Sequence, residues 1–127
     1  MKYILIPMIL LSFMSNAQTD KPLNERFEMK EYFLVFLKKG PSRSQDSATV
    51  TAINREHLAY LTKMYNEDKM SMCGPLMDDT DILGIAIYHV DTADEAKKLA
   101  ESDPAVKAGR IAIEVHPWYS AKGMILK

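Results

Sequence analysis

Two polar residues stand where their neighbours predict apolar burial or a tight backbone corner. His57 lies within a stretch, from about Ser47 to Asp68, whose apolar residues recur every three or four positions: Val50, Ile53, Leu61 and Met64. At that period His57 shares their face, between Ile53 and Leu61. A neutral imidazole on such a face must satisfy both ring nitrogens. It is therefore either a core histidine bonded to a carbonyl, or a general base in a pocket between helix and sheet, its pKa tuned by burial. Asp103 precedes Pro104, the pattern of a helix start in which aspartate caps and proline takes the first helical position. A capping carboxylate is ionised and rigidly held, so it could also accept a hydrogen bond from an imidazole N–H and fix its tautomer. A proton taken by such a histidine leaves an anion on the substrate, for which Tyr88 and Ser102 are the candidate stabilisers.

Other constellations carry less. His89 and His116 fall at strand ends, and together with His57 and Cys73 they show no metal-ligand spacing, so no metal is expected. A reactive Cys73 requires a depressed pKa, and no adjacent basic residue supplies one; a small strand residue is the better reading. Asp78, Asp79 and Asp81 lack the glycine and terminal glutamate of a calcium loop and read as a solvated turn. Phosphate-binding glycine loops and the G-x-S-x-G nucleophile turn are missing from the sequence, and no cofactor is expected.

The elements that must position these residues follow from the alternation of patterns. Tyr32 to Leu37 is apolar at both parities, the mark of a strand covered on both faces. The His57 helix follows a polar loop. Met70 to Leu76 reads as a second strand, broken by Gly74-Pro75. Leu83 to Val90 is a third, with Leu83, Ile85 and Ile87 on one face and Gly84, Ala86 and Tyr88 on the other. Thr92 to Glu95 has the form of a capping box opening a second helix, which Ser102-Asp103-Pro104 ends. Ile111 to Val115 is the fourth strand, stopped by His116-Pro117, and the tail from Trp118 onward either packs or pairs.

The order β-α-β-β-α-β predicts an α+β, ferredoxin-like domain: a four-stranded antiparallel sheet with both helices on one face and the first and third strands central. The helices leave the other face of a doubly apolar strand uncovered. A second copy of the chain, sheet against sheet, is the favoured cover. The alternative is that the tail or the N-terminal arm folds back over it.

Composition bounds the rest. The 127 residues suffice for one domain, 47% apolar and 26% charged. A net charge of −1 offers no basic field for nucleic acid. The single cysteine forbids an intramolecular disulfide and suits an oxidising compartment. Lys2, the apolar run Tyr3 to Phe13 and Ser15-Asn16-Ala17 have the three parts of a secretory signal peptide, cleaved after Ala17. The apolar run is shorter than the roughly 20 residues a membrane span needs. The expected organisation is a signal peptide over 1–17, a linker or arm over 18–30 and the folded domain over 31–127. The mature protein is expected in the periplasm or the medium, without stable membrane insertion.

Four short motifs in order carry a resemblance: His57-Leu58 in the helix, Gly74-Pro75 in the hairpin, Asp103-Pro104 to Ala108-Gly109, and a strand running into Val115 to Trp118. Over about residues 31 to 119 the chain resembles the YciI-related family. The resemblance implies a dimeric α+β barrel of ferredoxin-like subunits and a site around His57 and Asp103. It also implies a small-molecule ligand and, as one function, cofactor-independent acid–base chemistry of the isomerase or lyase type. The usual relatives are cytoplasmic, so the leader sets this chain apart. The competing function is a non-catalytic module that binds a small ligand or is purely structural.

Overall fold

The computed structural model describes residues 21–127. The expected signal peptide lies outside the described residues. A short helix, α1 (Leu23–Arg26), leads into β1 (Met29–Lys39), followed by α2 (Ser47–Asn66), β2 (Met70–Pro75) and β3 (Ile82–Tyr88). Then come α3 (Ala93–Glu101), the single turn α4 (Pro104–Lys107) and β4 (Ile111–Ala121). The strands form one antiparallel sheet in the order β2-β3-β1-β4, so the first and third strands are central, and the α+β ferredoxin-like fold is the one observed.

The helix-facing side of the sheet is the core. Phe33, Val35 and Leu37 of β1 and Ala86 and Tyr88 of β3 are buried against Leu61 and Met64 of α2 and Ala96 and Ala100 of α3. The alternating burial along β1 shows both the period of two and the asymmetry of the faces. The intervening residues Tyr32, Leu34 and Phe36 are only partly covered. On that open side Tyr32 lies against Trp118 (ring centroids 6.1 Å apart) and Phe36 against His116 (5.4 Å).

Two elements are longer than expected. β1 begins at Met29 because β4 continues to Ala121 and pairs with it residue by residue, from Met29–Ala121 to Lys39–Ile111. The expected stop at His116-Pro117 fails because β4 is an edge strand, where a proline's missing ladder donor is tolerated. The first part of the tail therefore pairs. α3 starts at its expected cap, Thr92 Oγ1 accepting from Glu95 N–H (3.1 Å), and α2 starts at Asp46, whose Oδ1 accepts from Thr49 N–H (2.8 Å) at the end of the polar loop. The Thr92–Glu95 box is half formed, since the Glu95 carboxylate pairs with Lys69 (3.2 Å) instead of turning back.

Candidate active site

The last turn of α3 delivers Ser102 and then Asp103, which caps α4 with Pro104 at the first helical position. Asp103 Oδ1 accepts from Ala105 N–H at 2.8 Å. Its other oxygen, Oδ2, is 2.6 Å from Nδ1 of His57. Asp103 is 2% exposed, the buried charged residue among those described. A carboxylate is costly to bury unless its lone pairs are met, and here each oxygen has a partner. Gly109, at φ 72°, lets the chain turn from α4 back into the sheet. A side chain there would be strained by that φ and would press on Ser42.

The short contact fixes the histidine's chemistry. A carboxylate only accepts, so Nδ1 of His57 carries the proton and donates it, leaving the lone pair on Nε2. The imidazole is 15% exposed, held by a buried acceptor yet still reachable. The two residues expected to act together from sequence are thus brought together across 46 positions.

His57 also lines a cleft of about 480 Å3 between α2 and the β2–β3 hairpin. Its walls are mainly apolar, including Leu37, Leu58, Leu61, Pro75 and Ile111, with Asn54, His57 and Cys73 as polar exceptions. That volume lies within the roughly 300–1,000 Å3 typical of small-molecule clefts. Gly84 keeps the hairpin end of the cleft narrow-walled: a Cβ there would stand 2.7 Å from the Gly74 carbonyl oxygen.

Tyr88 and Ser102 do not line this cleft. Tyr88 is a core side chain, 2% exposed. Burial first, and then the charges of Tyr60, Asp103 and Cys73, push its phenol far above the usual range, so it stays protonated. The Ser102 hydroxyl donates to the Lys98 carbonyl oxygen at 2.8 Å. Asn54, which the apolar reading of α2 passed over, does line the cleft. It precedes His57 by three positions, a spacing that places both on one helical face.

Burial raises the Cys73 thiol above its ordinary value, although the residue is exposed along one side. Its reaction with iodoacetamide at neutral pH is expected to be slower than that of free cysteine, measured by intact mass against time. A faster reaction would show an activated thiol. Among the described residues no group of three His, Cys, Asp or Glu side chains could hold a metal ion. Among them, too, no helix is long and apolar enough to cross a membrane.

Residues 32–119 match the model of the YCII-related domain. The chain belongs to the YCII-related family. YjpA, an uncharacterised protein of Bacillus subtilis (strain 168), is 29% identical over 69 residues, covering 51% of this chain and 79% of the relative. Among solved structures, 5-chloro-2-hydroxyhydroquinone dehydrochlorinase (TftG) from Burkholderia phenoliruptrix AC1100, in complex with 2,5-dihydroxybenzoquinone, matches with a TM-score of 0.51 at 29% identity. That match covers 68% of this YCII-related chain and 92% of the dehydrochlorinase. Muconolactone isomerase matches with a TM-score of 0.58 at 12% identity, over 76% of this chain and 96% of the isomerase, a likeness of fold alone.

Proposed function

We propose that this YCII-related protein is a cofactor-independent acid–base enzyme acting on a small organic carbonyl compound. The observation that carries the reading is His57 on the wall of an apolar cleft, its Nδ1–H held by the buried Asp103. Nε2 takes a proton from a carbon next to the carbonyl, and the C–H electron pair moves into the enolate. Asp103 stabilises the imidazolium that results. Return of the proton to a different carbon gives isomerisation; loss of a leaving group such as chloride gives elimination. Asn54 is the group on the cleft wall suited to donate to the enolate oxygen, in place of Tyr88 or Ser102. The likeness to a dehydrochlorinase at 29% identity supports the elimination branch.

The test is proton exchange in D2O with a lactone and a chlorinated hydroxyhydroquinone as trial substrates, followed by NMR and mass spectrometry. The reading expects deuterium at the carbon beside the carbonyl, or release of chloride. Saturable binding of both compounds with neither event would favour the non-catalytic ligand-binding module.

Assembly and location belong to the same proposal. The partly covered Tyr32, Leu34 and Phe36 on the open sheet face support a homodimer packed sheet to sheet. Phe36→Glu is expected to halve the mass measured by light scattering while leaving the circular dichroism spectrum unchanged; an unaltered mass would remove that face from the interface. Export rests on the leader pattern of residues 1–17. Expression in a Gram-negative host is expected to yield a periplasmic or secreted chain beginning at Gln18, and an uncleaved cytoplasmic chain would contradict it.

A further inference from the structure

Outside the His57 cleft, three polar side chains form a second row. His89, just past the end of β3, lies between Asp68 and Ser71: Nε2 is 3.1 Å from Asp68 Oδ1, and Nδ1 is 2.7 Å from Ser71 Oγ. The carboxylate can only accept, so Nε2 carries the ring proton and donates it to Asp68. Nδ1 then holds the lone pair and accepts from the Ser71 hydroxyl. Carboxylate, imidazole and hydroxyl in this order is the arrangement that activates a serine, with the two ring nitrogens in exchanged roles relative to the serine proteases.

Three local devices build the row. The β2–β3 register shifts between Met70 and Met72, and a bulge of this kind re-aims the residue it displaces, here Ser71. The His89 backbone N–H donates to the Lys69 carbonyl oxygen at 3.1 Å, tying the ring's position to the turn after α2. Asp68 occupies the left-handed position that ends α2, at φ 56°, with Asp68 N–H on Tyr65 O (3.1 Å) and Lys69 N–H on Met64 O (2.9 Å). Glycine is the residue this backbone favours, so aspartate there sacrifices stability, and its carboxylate is the one that holds His89. Ser71 is itself exposed and lines a recess of about 390 Å3 between α2 and β2, walled by Leu58, Leu61, Tyr65, Met70 and Met72.

We propose that Ser71, His89 and Asp68 form a second site that transfers the acyl group of small apolar esters, with Ser71 as nucleophile, His89 as base and Asp68 as its positioning residue. Ser71 Oγ bonds to the ester carbonyl carbon while its proton passes to His89 Nδ1, and the carbonyl electron pair moves to oxygen. The adduct collapses, the bond to the alcohol oxygen breaks, and the alcohol leaves with the proton from His89. Water repeats the sequence on acyl-Ser71, releasing the carboxylic acid and restoring the hydroxyl. The acyl chain lies in the recess.

p-Nitrophenyl acetate tests this on the purified protein, because its leaving group departs readily. A burst of one p-nitrophenolate per chain is expected, with a single acetyl group mapped to the Ser71 peptide. Ser71→Ala, a change at an exposed position whose fold circular dichroism checks, and His89→Gln should each slow acylation at least about 100-fold. Asp68→Gly should raise the melting temperature and yet slow acylation about tenfold or more, a pair of opposite changes that a structural role would not give. An acetyl group found on another residue, or a burst undiminished in Ser71→Ala, would overturn the proposal. Asp68→Gly acylating at the unsubstituted rate would remove Asp68 from it.

Discussion

Asp103→Ala is expected to lower the stability of the domain by about 2–4 kcal/mol, read from the urea midpoint at constant slope. Two contributions combine. Loss of the Oδ1 contact to Ala105 N–H removes the α4 cap, worth about 1 kcal/mol in comparable helices. Loss of the Oδ2 contact leaves the Nδ1–H of a largely buried imidazole without an acceptor, and hydrogen bonds to a charged group contribute about 1.5–3 kcal/mol. Asp103→Asn should cost less, because the amide oxygen can still cap α4. An Asp103→Ala protein as stable as the parent would mean that neither contact persists in solution.

The second large effect concerns rate. His57→Gln is expected to slow solvent-proton exchange into a bound substrate by about 10²–10⁴-fold, the usual contribution of a positioned general base. Glutamine is chosen because its amide N–H can still donate to Asp103, so the buried carboxylate keeps a partner and the fold is spared. Asp103→Asn should slow the same step about 100-fold or more for a different reason. The asparagine NH2 faces Nδ1 as a donor, so the imidazole must present its lone pair there and its proton toward the cleft. Both substitutions should lower kcat with little change in KM, since they act on the step and not on the apolar walls. A rise in KM at constant kcat would instead assign His57 to ligand binding.

Much of this site could be read from sequence because its two residues sit where a local rule applies. The period of α2 placed His57 on the buried face, and Asp103-Pro104 marked a cap whose carboxylate is fixed in direction. The resemblance over His57-Leu58 and Asp103 to Gly109 joined them. What failed was positional. Tyr88 shares the face of Gly84 and Ala86, but four residues along a strand span about 13 Å. Gly84 borders the cleft and Tyr88 lies deep in the core. Asn54 is polar and exposed on α2, so the apolar period of that helix does not mark it. The extension of β4 through Pro117 depends on which strand lies at the edge, a property of the assembled sheet. The Asp68–Ser71–His89 row depends on the β2–β3 register, with Met70 opposite Tyr88, and on a bulge that no residue pattern announces.

With its proton held on Nδ1 by Asp103, His57 offers Nε2 as the base on the cleft wall. Long-range 1H–15N correlation of the histidine rings reads this directly, because the protonated and unprotonated ring nitrogens resonate far apart. A His57 ring protonated at Nδ1 is expected in the parent protein, with its proton shifted far downfield by the 2.6 Å contact, and the opposite tautomer in Asp103→Asn. A His57 ring protonated at Nε2 in the parent protein, or a pattern unchanged by the substitution, would contradict it.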